Sequence, residues 1–120
     1  MPLGGPIPVL RSFNETEARD FYVRYLGFSV EFEHRFAPGM PLYMGLRSDR
    51  CELHLSEHHG DGVPGITVRI ACDDVSALLR NLKARGHRRM NPGMEEQPWG
   101  MLEVSVTDPF GNRLIFFQTV

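Results

Sequence analysis

The side chains best suited to chemistry gather once, in the run "HLSEHHGDG" at residues 54–62, which offers His54, His58 and His59 with Glu57 and Asp61. Imidazoles and carboxylates this close together suggest a metal centre. A zinc or iron site, however, draws its ligands from diagnostic spacings, and none occurs here. The run reads instead as the end of a strand followed by a solvated glycine-rich loop, with His54 a polar strand residue. No nucleophile stands beside a base, because the chain has no Gly-x-Ser-x-Gly elbow, no phosphate-cradling glycine loop and no His-Glu-x-x-His. These residue types favour binding over catalysis.

A second stretch, "EEQPWGMLEV" at residues 95–104, holds the only tryptophan between a proline and a glycine. An isolated Trp99 would ordinarily be a hydrophobic plug. In a Pro-Trp-Gly turn at the mouth of a cleft, the same broad ring is placed to stack on a planar ligand.

The elements that must carry these residues repeat. "PVLRSF" reads as a strand and "NETEARDFYVRYLGF" as a helix, with Ala18, Phe21, Tyr22 and Tyr25 on one apolar face, Asn14 and Glu17 as a capping box and Gly27 as the exit. "ITVRIAC" and "DDVSALLRNLKARGH" repeat the plan, with Val75, Leu78, Leu79 and Leu82 on the apolar face, Asp73 or Asp74 as cap and Gly86 as stop. Val9 and Val68, Ala18 and Ala77, and Gly27 and Gly86 stand at one common offset. Three strands follow each helix: "FSVEFEHRF", "LYMGLR" and "CELHLS" in the first half, then the "HRRM" segment, "MLEVSVT" and "RLIFFQT" in the second, with "DPFGN" as a turn. The fold class is therefore α+β. Two βαβββ modules, at about residues 7–57 and 65–119, form a cupped mixed sheet with helices on its outer face, and eight strands exceed a ferredoxin-like sandwich. Alternation turns Glu52, His54 and Ser56, Met101, Glu103 and Ser105, and Arg113, Ile115 and Phe117 toward the cleft.

A chain of 120 residues with 42% hydrophobic and 23% charged content fits one globular domain, residues 1–120. Its net charge of −2 provides no basic field for a nucleic-acid backbone or an anionic membrane. The "HRR" at residues 87–89 is a short solvated cluster. Cys51 and Cys72 lack metal or disulfide spacing and read as small core residues in a reducing compartment. "MPLGGPIPVL" lacks the pattern of a secretory signal, so a cytoplasmic protein is expected.

The paired layout, with "PVL" (residues 8–10), "FY" (21–22), "LGFS" (26–29), "EQPWG" (96–100) and "DPFGN" (108–112), resembles the glyoxalase/bleomycin-resistance, or vicinal oxygen chelate, superfamily from about Pro8 to Phe117. Within it, "EQPWG" is most similar to the bleomycin-resistance branch. Superfamily enzymes hold a divalent metal at four strand positions, which fall here on Ile7 (or Pro8), His54, Thr67 and Ile115. One imidazole among them cannot supply the three or so protein ligands of a catalytic site. The resemblance therefore implies no metal, no cofactor and no enzyme activity. It implies a homodimer that sequesters a bleomycin-like glycopeptide, or a related planar aromatic compound, in clefts at the subunit interface. Stacking falls on Trp99 and Phe36, while Phe32, Glu31, Ser56 and Gly100 match contact segments. Glu103 joins the set from strand alternation. The alternative is a metal-dependent enzyme of glyoxalase, dioxygenase or thiol-transferase type that recruits its ion through His54 and the loop histidines.

Overall fold

The computed structural model describes residues 1–119. The first module runs through β1 (Val9–Arg11), α1 (Glu15–Arg19), a π-helical continuation of α1 (Asp20–Tyr25), β2 (Ser29–His34), β3 (Tyr43–Ser48) and β4 (Cys51–Ser56). The second runs through β5 (Thr67–Ala71), α2 (Val75–Arg85), β6 (Met94–Gln97), β7 (Met101–Thr107) and β8 (Arg113–Thr119). Each module forms its own four-stranded sheet, in the orders β1-β4-β3-β2 and β5-β8-β7-β6. Only the first strand of each module lies parallel to its neighbour, since the helix returns the chain before the hairpins are laid down. The α+β fold of two βαβββ modules is as expected.

The helices cover one face of the sheets with the apolar stripes that their spacing implies. Ala18, Phe21, Tyr22 and Tyr25 are buried, as are Val75 and Leu82, while Leu78 and Leu79 pack at the margin of the core. They meet Leu10, Met44, Leu46, Leu53 and Leu55 from one sheet and Val104, Val106, Leu114 and Phe116 from the other in one continuous cluster.

Both helix starts are capped by side chains. Asn14 Oδ1 accepts from the Glu17 N–H and Asp74 Oδ1 from the Ala77 N–H, each at 3.0 Å. Between cap and exit glycine the first module carries one residue more than the second, and the π turn absorbs it: the Leu26 N–H donates to the Phe21 carbonyl, five residues back. The equal offset of Val9 and Val68 therefore does not survive as structural equivalence. Val68 pairs with Leu114 on the helix side, whereas Leu10 pairs with Leu55 there and Val9 falls on the opposite face.

One expected strand is displaced. "HRRM" forms a tight turn, in which Met90 N–H donates to the His87 carbonyl at 3.0 Å and Arg89 N–H to His87 Nδ1 at 3.2 Å. The His87 ring is drawn against Phe21 and Tyr25, with centroids at 5.9 and 5.3 Å, so this segment packs inward instead of extending. The strand that pairs with β7 is Met94–Gln97, its register set by the turn that joins Gln97 to Met101.

"DPFGN" ties the modules together. Asp108 Oδ1 accepts from the backbone N–H groups of Phe110 and Asn112 at 2.9 and 2.8 Å, and its Oδ2 accepts from the Tyr22 hydroxyl at 2.6 Å and Asn112 Nδ2 at 2.9 Å. Asn112 Nδ2 also donates to the Arg11 carbonyl in β1 at 2.9 Å. Lower down, Arg24 donates to the carbonyls of Arg85 and Gly86 while Arg85 donates to that of Tyr25. No helix among the described residues is long and apolar enough to cross a membrane.

Burial, and after it the Asp108 carboxylate, holds the Tyr22 phenol well above its ordinary value of 10.0. Above that pH the unfolded chain releases this proton and the folded chain keeps it, so stability falls as pH rises. Tyr22→Phe should cost about 1–3 kcal/mol in urea unfolding at neutral pH. The variant should also lose stability less steeply than the parent above pH 10.0.

Candidate functional site

The sheet faces turned away from the helices are the surfaces left for function. On the first sheet, strict alternation along "SVEF" would put Phe32 on the same side as Val30. The β2–β3 register breaks there: Val30 pairs with Leu46, and the next pair is Phe32 with Gly45, leaving Glu31 as the extra residue of a β-bulge. Beyond the bulge the phase inverts. Phe32 and His34 take the open face, and Glu33 turns to the helix side, where Arg19 pairs with it.

Phe32 lies directly over Gly45. A Cβ at position 45 would stand 2.2 Å from the ring, so only glycine lets the ring settle against β3. The ring is nearly parallel to Tyr43 (13°, centroids 6.2 Å apart) and edge-on to His54 at 5.2 Å. Phe36, 76% exposed, extends the aromatic surface through edge-on contacts with His34 and His58.

A polar chain runs along the same face and includes two of these rings. Arg47 donates to Glu31 and, at 2.7 Å, to Glu52 Oε1; Glu52 Oε2 lies 3.0 Å from His54 Nε2; and His54 Nδ1 lies 2.7 Å from the Tyr43 hydroxyl. Both imidazole nitrogens are thus engaged. Burial, with the Asp61 carboxylate second, pushes the Tyr43 phenol up from its ordinary range, so it stays protonated and is no phenolate nucleophile.

The second sheet offers a different surface. On β7, Glu103 is buried and accepts from Arg69 Nη2 at 2.7 Å, while the Arg69 guanidinium lies 4.8 Å from the Phe117 ring centre. Glu95 stands directly opposite Glu103 across the β6–β7 ladder, so two carboxylates share this face with Arg69, and Arg113 lies farther along it on β8. The Gln97–Gly100 turn, closed by the Gly100 N–H on the Gln97 carbonyl at 3.0 Å, presents Trp99 to solvent at 62% exposure. Gly100 takes the positive φ of 82° that returns the chain to β7. Among the described residues the core cluster does not include Trp99.

The structure therefore brings Phe32, Phe36 and Glu31 to one sheet, and Trp99, Gly100 and Glu103 to the other. Among the described residues Trp99 makes no ring contact with Phe32 or Phe36 in the same chain. Ser56 is fully buried: its hydroxyl donates to Asp61 at 2.9 Å and accepts from the His58 N–H at 3.1 Å, anchoring the histidine-rich loop. Among the described residues, a groove of 390 Å³ lies around Asp20, Arg24, His87 and Arg88 and another of 370 Å³ around Ser29, Glu31, Arg47 and Asp49; neither is lined by Phe32, Phe36 or Trp99. Phe32, Phe36 and Trp99 stand exposed on these surfaces. Tyr43, Gly45 and Arg69 were missed from sequence, although alternation along "LYMGLR" would have put Tyr43, Gly45 and Arg47 on one face.

The four superfamily metal positions do not fit an ion. Ile7 and Ile115 are aliphatic, Thr67 offers a hydroxyl, and His54 has both nitrogens committed. Among the described residues no three His, Cys, Asp or Glu side chains are grouped to hold one.

A family profile described as "Glyoxalase superfamily protein" matches residues 3–120, so the chain belongs to the glyoxalase superfamily. No match was found among curated proteins. Solved structures share the fold at low identity. A bleomycin-binding protein complexed with bleomycin aligns at 24% identity and a TM-score of 0.72, over 98% of this chain and 100% of that one. TnmS3, an antibiotic-binding protein from Streptomyces sp. CB03234, aligns at 23% identity and a TM-score of 0.70, over 100% and 99%. A glyoxalase-related enzyme from Clostridium phytofermentans aligns at 20% identity and a TM-score of 0.75, over 100% and 98%.

Gly45→Ala should push the Phe32 ring off the sheet. Because that ring is half exposed and can swing outward, the stability cost should stay near the low end of overpacking, about 1 kcal/mol. Chemical unfolding would measure it, and altered aromatic proton shifts of Phe32, Tyr43 and His54 would report the displaced ring.

Proposed function

We propose that the chain acts as a single domain of two modules (about residues 7–57 and 65–119) that binds planar aromatic compounds without transforming them, bleomycin-like glycopeptides among them. The observation that carries this reading is the Phe32–Tyr43–His54 platform seated on Gly45, with Trp99 held out of the core on the other sheet. Exposed rings of this kind gain about 0.5–1.5 kcal/mol each from stacking, beyond the area they bury. Glu31, Glu52, Glu95 and Glu103 would draw a cationic group, offset in part by Arg47 and Arg69. A bleomycin-binding protein and an antibiotic-binding protein built on the same fold support the reading.

The ligand would lie between two copies of the chain. The two aromatic surfaces sit on separate sheets of one protomer, and a homodimer that faces the first sheet of one against the second sheet of its partner would bring Phe32 and Phe36 opposite a Trp99. Such a pairing encloses a ligand that neither surface covers alone. A cytoplasmic site of action accords with two free thiols and is part of the same proposal.

Titration with metal-free and with copper-loaded bleomycin should give saturable quenching of Trp99 and measurable heat, at about one ligand per subunit. Trp99→Ala, followed by heat alone, should weaken binding by about tenfold. Absence of heat and quenching up to high ligand concentration would remove bleomycin from the client list. A stoichiometric divalent ion in the purified protein, lost in His54→Ala, would overturn the non-catalytic reading.

A further inference from the structure

The chain of polar contacts along the aromatic platform has a direction. Arg47 is the permanent cation at its start, donating to Glu52 Oε1 at 2.7 Å. The ionised Glu52 can only accept, so the proton between its Oε2 and His54 Nε2, 3.0 Å apart, belongs to the imidazole. A neutral imidazole protonated at Nε2 has a bare Nδ1. The Tyr43 hydroxyl, 2.7 Å from that Nδ1, must then be the donor. Its single proton is spent inward, and the hydrogen-bonding capacity left at the phenol oxygen is acceptor only. This acceptor sits beside the Phe32 ring, which runs within 13° of the plane of Tyr43.

We propose that Tyr43, oriented by His54, Glu52 and Arg47, selects the ligand: the open face of the first sheet takes flat aromatic rings whose edge carries an N–H donor and discriminates against the same rings with that donor removed. The inference rests on the reading of this face as a platform for planar compounds. Stacking on Phe32 is indifferent to ring substituents, whereas an acceptor at a set place along the ring edge is not. A ring without the N–H leaves the phenol lone pairs desolvated and unpaired, which is the stronger source of selectivity in buried polar sites. Tyr43 is on this account a contact residue; His54, Glu52 and Arg47 position it.

The probes are benzimidazole and 1-methylbenzimidazole, which share a ring system and differ by one N–H. Calorimetric titration should show wild-type protein binding benzimidazole about tenfold more tightly, the scale of one directed hydrogen bond. Tyr43→Phe should bring the ratio to about one, through loss of the hydrogen bond to benzimidazole and relief of the unpaired phenol oxygen under its methylated analogue. Glu52→Gln, which no longer dictates the imidazole tautomer, should also lower the ratio. A ratio that persists in Tyr43→Phe would trace the preference to steric exclusion of the methyl group and overturn the proposal. Equal binding of both probes to wild type would overturn it and leave the platform reading standing; binding of neither probe nor bleomycin would overturn both. Nitrogen-15 shifts of the His54 ring at mildly alkaline pH supply an independent reading: a proton on Nδ1 instead of Nε2 would reverse the chain's direction and overturn the proposal.

Discussion

The buried Asp108 carboxylate is the point on which the architecture turns. A carboxylate removed from water is costly unless its lone pairs are satisfied, and here four donors meet it: two backbone N–H groups of its own turn, the Asn112 amide and the Tyr22 hydroxyl. Two of these partners reach beyond the turn. Tyr22 belongs to the π-helical stretch of the first module, and Asn112 donates onward to the β1 carbonyl of Arg11. Satisfying one charge thus joins β8 and its turn to the helix and first strand of the other module. The open sheet faces inherit their relative placement from that junction.

The open faces follow from local departures in an otherwise regular pattern. The bulge at Glu31 inverts the phase of β2 and delivers Phe32 to the side away from the helices, where Gly45 leaves room for its ring. A longer side chain at 45, or an unbroken strand at 31, would leave β3 and β4 with the polar chain of Arg47, Glu52, His54 and Tyr43 but no aromatic cover. The second sheet contributes acid and an exposed indole instead. Its Glu103 is neutralised by Arg69 within the sheet, and among the described residues Glu95 has no such partner on that face. The two sheets are therefore unlike, although their strand order is the same.

Membership of the superfamily does not decide between its chemistries, because the scaffold supports enzymes and binding proteins alike. The decision lies in side chains. Aliphatic residues occupy two of the metal positions, and the one imidazole is locked between a carboxylate and a phenol. An ion at His54 would have to displace one of those contacts, and among the described residues no three His, Cys, Asp or Glu side chains are grouped to hold it. Stacking needs no such rearrangement, only exposed rings held flat, which Phe32 already satisfies.

The helix faces, their caps and exit glycines, the alternation of β4, β7 and β8 and the strand count were legible in the sequence, because each is set by near neighbours in the chain through backbone geometry and the period of apolar residues. The turn at "HRRM", the one-residue slip between the modules and the bulge at Glu31 were not. Each depends on a distant partner: the aromatic pocket of Phe21 and Tyr25 that takes in His87, the π turn that seats Tyr22 near Asp108, and the β3 register that skips Glu31. For the same reason the sequence alone could name Trp99 and His54 but not say what surrounds them. Tertiary structure decided that the indole faces solvent and that the imidazole is spoken for on both sides, since exposure and hydrogen-bond partners are properties of the packed chain.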